Sequence, residues 1–518
     1  MKVGSYVYNV NQIIFNMLYD NESYDKIIQG WANVSGYFSI FVVLAVKVVE
    51  AIQWVLNKLY EVVNKSYMAL SREMEFHADE IAAHITGYKP LKSALLRMPL
   101  ADHAYDSVLA FYEAKIEHNQ KSNNLFKEHA FVMHFLAKDS NTQIENNLPK
   151  ITIEELNKYN KSKLIIKDQW SSHPSTEDRI NRLEKINIVI NDTDNTPANT
   201  IFQDIEKTQN NLTSLAFKDV KYEEEAKPLL FTDFQAEYEK DYFNNTFSKI
   251  YNGYYDNKNP MPFDVDTIDY IQNLYTITEL FSDKKVDLVY TAFALQNDIE
   301  TIKQIAERAI PVKTFDYDGK KYKRSESKKL LRKLNSEIEK LNEQIKENDI
   351  NIFKFFSRCE YTQKRSNKLT DYYKALFSYD QTFDKNYEVY TQLSEQLHFI
   401  TVTTPYDDIK ANFLGIQPLE KKLKDGITSI LNDTKYQKEI TKAMRDNFNL
   451  YLSKQWLYFG NQNYFDDNLE ILFTAMNNYA FLLSKGYFIL KKKLLTYQKE
   501  LVKEQNLELM SQSDKQSI

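Results

Sequence analysis

Only 10 glycines and 11 prolines interrupt the 518 residues of this chain, and that scarcity commits it to long helices. A strand-and-turn architecture needs a turn signal about every 8–12 residues, far more breakers than are present. Apolar residues make up 43% of the chain, with 36 Tyr and 31 Phe among them. That is enough for real cores built by broad helix–helix packing. The length suits roughly 2–4 domains. The expected fold class is mainly α.

Charged residues are 27% of the chain and mixed along it, and the net charge of −6 gives no electrostatic case for nucleic acid. The single cysteine, Cys359, permits no internal disulfide and reads as a small core residue. Met1 to Tyr6 lacks the apolar core and cleavage site of a secretory signal. Ile27 to Val46 is charge-free for twenty residues, about the length of a membrane span, but Gln29, Asn33, Ser35, Gly36 and Ser39 dilute it. Beyond it, Lys47, Glu50, Gln53 and Asn57 alternate at helical spacing with Val48, Val49, Ile52, Trp54 and Val55. Residues 27–60 are therefore expected to form a buried or membrane-surface helix, and the chain to be cytoplasmic or membrane-associated. Heavy use of Lys, Asn, Ile and Tyr points to an AT-rich bacterial genome.

Helical periodicity runs from Ile40 to about Tyr88, where Gly87-Tyr88-Lys89-Pro90 is a stop signal. A short helix from Leu91 should close at Pro99, and one or two helices should cover Ala104 to Lys138. Leu164 to Ile166 is a short apolar run. Pro174 forces His173 into an extended backbone, and Ser175 with Asp178 caps a helix running to about Ile186. Residues 191–200 hold no apolar side chain larger than Ala or Pro and read as a linker between a first domain, 1–190, and helical residues 201–311. Asp318-Gly319, flanked by alternating apolar residues, marks a hairpin over 312–324. Leu331, Leu334, Ile338, Leu341, Ile345 and Ile352, with Asn348 on the seam, give 325–352 the spacing of a short coiled-coil arm. Residues 353–504 read as more helix and 505–518 as a flexible tail.

Glu75 and Asp79 are four apart, so a helix sets them about 40° apart on one face. Phe76, Ala78, Ile81, Ala82 and Ala83 surround them with small and apolar residues, so the carboxylates need partners. One could bind a metal while the other orients a neighbouring ligand. An acidic, solvated helix face is the plainer alternative.

The run Ser71-Arg72-Glu73-Met74-Glu75-Phe76-His77-Ala78-Asp79-Glu80-Ile81-Ala82-Ala83 resembles the third-ligand helix of the metallopeptidase family (M48) that includes the HtpX heat-shock protease and the CAAX prenyl endopeptidase. Ser172-His173-Pro174 followed by Asp178-Arg179-Ile180-Asn181-Arg182-Leu183 is similar to that family's second hallmark. The resemblance covers residues 1–190. It implies a zinc metalloendopeptidase acting on a peptide or protein substrate, with Glu75 as third zinc ligand and Asp79 hydrogen-bonded to a zinc-ligating histidine. His173 and Arg179 would stabilise the tetrahedral intermediate. The fold it implies is a helical metallopeptidase-like domain, incomplete at its N-terminus, followed by a long helical region.

The chain departs from the family pattern at one decisive place. None of its eight histidines stands in an H-E-x-x-H, and the 74 residues before Glu75 contain none at all. Without those groups the family's two further ligands and its general base are missing. The chain alone is expected to bind no stoichiometric zinc and to hydrolyse no peptide. Two accounts fit: Met1 is internal to a longer coding sequence, or the chain is a non-catalytic helical interaction protein that keeps the fold. Glu73, His77, Glu80 and His84 form a collinear stripe that cannot surround one ion. His129 and His134 read as core or boundary histidines. Lys491-Lys492-Lys493 reads as a solvated helix end, with anionic lipid as the alternative.

Overall fold

The computed structural model describes residues 38–166, 171–190, 196–269 and 275–516. The apolar residues of 1–37, Trp170 and residues 191–195 of the linker lie outside the described residues. The chain is mainly α-helical and divides into two compact units, residues 1–244 with 304–327, and residues 245–303 with 328–518.

In the first unit, α1 (Phe38–Thr86) and α2 (Tyr88–Glu113) meet at Gly87. Its φ of +83° is open to glycine at no steric cost, and an added Cβ would lie 3.4 Å from the Ile190 backbone nitrogen. Next come β1 (Gln120–Lys121), α3 (Leu125–Asp139), β2 (Ile144–Glu145), β3 (Leu148–Pro149), α4 (Ile153–Asn157), β4 (Leu164–Ile165) and α5 (Thr176–Ile186). They are followed by α6 (Ile205–Ala216), β5 (Lys227–Pro228), α7 (Phe231–Asn245), β6 (Thr314–Tyr317) and β7 (Lys320–Lys323).

Two small cores hold this unit. Ala83, Leu95, Leu96, Ile180 and Leu183 bind α1, α2 and α5 together. Val108, Phe111 and Tyr112 of α2 pack on Val132 and Met133 of α3 and on Phe234 and Tyr238 of α7. Beside that aromatic layer the Glu128 carboxylate is buried, accepting hydrogen bonds from Tyr112 Oη at 2.7 Å and Ser122 Oγ at 2.6 Å.

Several expectations change here. Pro99 does not end a helix; it lies inside α2. Proline costs an interior helix one hydrogen bond and a clash, yet Leu95 and Leu96 before it and Ala104 and Val108 after it are buried on separate cores, which hold both halves in line. The expected hairpin is one part of a three-stranded antiparallel sheet, because β4 pairs with β6 as Leu164 opposite Tyr317. The compact units do not separate at residues 191–200. After them α6 returns to α3: Thr213 Oγ1 accepts from the Leu125 N–H, and Asn124 donates to Gln209 and Asn210. Two further tight turns join β2 to β3 and the short strands Phe459–Gly460 and Asn463–Tyr464, at Asn146-Asn147 and Asn461-Gln462, all four residues with positive φ.

The second unit holds α8 (Ile277–Leu280), α9 (Asp283–Glu307), α10 (Ser327–Thr362), α11 (Lys368–Gln396), α12 (Tyr406–Asn432), α13 (Lys442–Leu452), β8 (Phe459–Gly460), β9 (Asn463–Tyr464) and α14 (Asp466–Gln516), the end of α9 and the start of α10 falling in the first. Its main core joins α11, α12, α13 and α14 through Leu393, Ile416, Leu423, Ile427, Phe448, Leu472 and Leu482. The heptad-spaced residues of α10 face inward, Leu334, Ile338, Ile345 and Ile352 all being buried. Asn348 on that seam donates to the Leu280 carbonyl, and the adjacent Asp349 takes both Lys258 and the Met261 N–H. Cys359 is buried, and burial pushes its thiol up to about 11.

The triple-lysine run is not a solvated helix end. It lies in the middle of α14, where buried Lys491 donates to the carbonyls of Tyr255 (2.8 Å) and Lys258 (2.9 Å). Lys492 donates to the Thr246 carbonyl, and Lys493 sits over the Tyr372 ring. These backbone carbonyls supply the acceptors that a buried ammonium needs. Among the described residues no helix is long and apolar enough to cross a membrane.

Candidate functional site

The last turns of α1 carry Glu75 and Asp79, the first turn of α5 carries Arg179, and His173 stands two residues before the α5 cap. Ser175 caps α5 by accepting the Asp178 N–H at 3.1 Å, and its hydroxyl donates to the Asp178 carboxylate at 2.7 Å. Ile180 and Leu183 then anchor α5 in the small core beside Ala83. This turns Arg179, one residue before Ile180, towards α1. The approach to α5 is shaped by Ser171, whose hydroxyl donates to the His173 carbonyl at 2.6 Å while its own carbonyl accepts from Arg72.

Arg179 is the hub. It grips Asp79 through two parallel hydrogen bonds, Nε to Oδ2 at 2.8 Å and Nη2 to Oδ1 at 2.7 Å. Its remaining Nη1 reaches Glu75 Oε1 at 2.6 Å. The other Glu75 oxygen, Oε2, faces His173 Nδ1 at 2.7 Å. Asp79 is buried and Arg179 mostly so, whereas the His173 side chain is 75% exposed. The hydrogen bonds that Asp79 accepts hold the guanidinium above its ordinary basicity, against burial, with the charges of Asp79 and Glu75 adding to the effect. A planar fork spanning two carboxylates one turn apart suits Arg and no other cation.

The structure therefore brings Glu75, Asp79, His173 and Arg179 into one cluster. In it Asp79 is engaged by Arg179 and not by a histidine. The stripe on the neighbouring face divides: Glu73 pairs with Arg182 at 3.2 Å, while exposed His77 stands 3.9 Å from Glu80. Arg182 also lies over the Phe76 ring at 4.7 Å, and with Arg72 and Asn181 these residues line an open groove. Arg182 was visible in the sequence only as part of the second hallmark; nothing in its spacing predicted a stack on Phe76. His129 and His134 are boundary residues, their ring nitrogens 2.8 Å from the Ala101 carbonyl and 2.7 Å from those of Ala130 and Asn147.

Zinc does not fit the side chains present. A catalytic zinc takes three protein ligands, and among the described residues no group of three His, Cys, Asp or Glu side chains is placed to hold a metal. Both oxygens of Glu75 already have partners. What this arrangement does chemically is hold the Glu75 carboxylate in a fixed orientation and fasten α5 to α1.

Residues 18–187 match the model of peptidase family M48. The matched segment is about a third of the chain and contains the whole Glu75, Asp79, His173 and Arg179 cluster. It supports a metallopeptidase-type domain there and does not extend to the second unit. No curated protein and no solved structure matches the chain.

Proposed function

We propose that residues 18–187 are the glutamate-bearing part of a zinc-dependent metalloendopeptidase domain, and that this chain by itself is catalytically inactive. The observation that carries this reading is the arginine fork. Arg179 holds Asp79 with two bonds and Glu75, the candidate third ligand, with a third, within a segment that matches the family model. In the intact enzyme zinc would supply the activated water for peptide hydrolysis. The part of this chain would be to present Glu75 and to place His173 and Arg179 beside it. Elemental analysis and a fluorogenic casein assay on the purified chain test the proposal. The expected result is no stoichiometric zinc and no hydrolysis; one equivalent of zinc, or cleavage that a chelator abolishes, refutes the inactive reading.

A second reading is a non-catalytic helical interaction protein built on the same fold. It is favoured by the full engagement of Glu75, whose two oxygens are taken by Arg179 and His173. The DNA before the Met1 codon separates the two. An in-frame H-E-x-x-H there supports the peptidase, and a stop codon directly upstream supports the interaction protein.

A further inference from the structure

The second unit contains a cavity of about 470 Å³ where α10 ends and α11 begins, and its lining includes Ser357, Glu360, Lys364, Arg365, Asn367 and Thr370. That volume lies in the range of small-molecule sites. α10 stops in a left-handed turn. Lys364, with φ of +51°, donates its N–H to the Tyr361 carbonyl, and the Arg365 N–H returns to the Glu360 carbonyl. The turn sets the Lys364 side chain at the cavity, exposed and with no ion-pair partner among the described residues.

The polar groups that meet there are left short of partners. Ser357 is only 7% exposed, and its hydroxyl has no hydrogen-bond partner among the described residues. A buried hydroxyl without a partner is costly, and a helical serine ordinarily relieves that cost by donating to the carbonyl four residues back. Asn367 stands at the N-cap of α11, where an asparagine side chain normally accepts a helix N–H, yet it makes no such bond. Glu360 does part of that work instead, its Oε1 accepting the Leu369 N–H at 3.1 Å and Tyr497 Oη at 2.7 Å. The Thr370 N–H, next along the first turn, has no acceptor among the described residues. A free N–H at a helix start, an uncommitted amide and an unpaired ammonium together make a seat for an anion. Glu360 would oppose a bare anion that filled the whole cavity. A carboxylate beside the Ser357 hydroxyl, one turn away on α10, suits the hydroxyl groups of a sugar or polyol.

We propose that this cavity binds a phosphorylated sugar or polyol. Lys364, Asn367 and the Thr370 N–H hold the phosphoryl group, and Ser357 and Glu360 take the hydroxyls. The site lies wholly in the second unit and stands independently of the peptidase reading of residues 18–187. Calorimetric titration of the whole chain with ribose 5-phosphate, glucose 6-phosphate and glycerol 3-phosphate tests it, with ribose, glucose, glycerol and inorganic phosphate as controls. At least one ester is expected to bind about tenfold or more tighter than both its unphosphorylated form and inorganic phosphate, as one charge-assisted hydrogen bond requires. Lys364→Gln should weaken that binding by about tenfold, with an unchanged circular dichroism spectrum. Ser357→Ala should weaken it by about fivefold, the effect of one neutral hydrogen bond. The same variant should leave the Tm of the free chain unchanged or higher, because it deletes a hydroxyl that has no partner without the ligand. Failure of all three esters to bind at millimolar concentration overturns the proposal, as does inorganic phosphate binding as tightly as the esters. Undiminished affinity in folded Lys364→Gln also overturns it. So does Ser357→Ala with a lower Tm and unchanged affinity, which would make that serine structural.

Discussion

Glu128→Gln should make the first unit more stable above neutral pH and remove much of its pH dependence. Glu128 is 1% exposed on α3, and among the described residues its carboxylate has two side-chain donors, Tyr112 Oη and Ser122 Oγ, a backbone donor at Asn123 and no cation. Burial pushes its pKa from 4.5 up to about 7; the hydrogen bonds from Ser122, Tyr112 and the Asn123 backbone pull the other way and lose. The folded state therefore holds this proton more tightly than the unfolded chain does. The stability this provides is fully present below about pH 4.5 and is lost as pH rises through about 7. A shift of that size corresponds to about 3 kcal/mol at 1.36 kcal/mol per pH unit. The glutamine amide carries no charge at any pH; one hydroxyl can go on donating to its oxygen while the other rotates to accept from its NH2. Hydrogen exchange of the α3 amides, read by mass spectrometry at pH 5 and pH 8 and corrected for the intrinsic rate, measures the effect within this unit. Wild-type protection should fall by about 100-fold between the two, and that of Glu128→Gln by far less. At pH 8 the variant should be the better protected. Equal falls in both proteins would show that Glu128 is not charged in a desolvated site, and the reasoning would fail.

Substitutions at two other charge pairings follow the same logic. Arg179→Met leaves Glu75 and Asp79 one turn apart without their cation and should cost about 2 kcal/mol, the low side of the range for a broken buried pair because the cluster is partly exposed. It would be read as faster exchange of the α5 amides. Arg179→Lys should recover less than half of that, since an ammonium cannot fork to Asp79 and reach Glu75 together, and wild-type protection in Arg179→Met would refute the clamp. In the second unit, Asp349 is fully buried with Lys258 Nζ at 2.6 Å, and burial drives the Asp349 pKa up and that of Lys258 down against their mutual attraction. Asp349→Ala strands the ammonium and should cost about 3–5 kcal/mol, whereas Lys258→Met/Asp349→Leu should cost clearly less. Urea unfolding followed by circular dichroism decides it, and a double variant as unstable as Asp349→Ala would contradict the pairing.

Helix periodicity and capping chemistry were legible in the sequence because they are local. Gly87 ends α1 where its positive φ requires glycine, Ser175 starts α5, and Asp318-Gly319 turns the hairpin. Pro99 was misleading for the same reason. Its cost is local, but the packing that overrides it comes from residues on α3 and α7 that no window around Pro99 contains. The third strand of the sheet escaped notice because Leu164 and its partner Tyr317 are 153 residues apart, and a two-residue strand has no periodicity of its own. The Asn146-Asn147 turn did carry a signal, two residues that tolerate positive φ between short apolar positions.

The candidate site was legible as a set of residues and not as a set of partners. Spacing puts Glu75 and Asp79 on one face of α1, and the resemblance places His173 and Arg179 near them, but neither fixes which carboxylate takes which cation. That choice depends on how far α5 is rotated, and the rotation is set by Ile180 and Leu183 entering the core. With those two residues inward, Arg179 lies against α1 and its fork spans both carboxylates. Asp79, which the resemblance assigned to a histidine, is bound before any histidine could reach it. The lysine run of α14 repeats the lesson with opposite sign. Three consecutive cations look solvated in sequence, yet Lys491 is buried because carbonyls from Tyr255 and Lys258 converge on it. In both places the pattern of charges along the chain identified groups that must find partners, while the partners came from tertiary packing: Ile180 and Leu183 turn Arg179 towards α1, and residues more than 230 positions away bring carbonyls to Lys491.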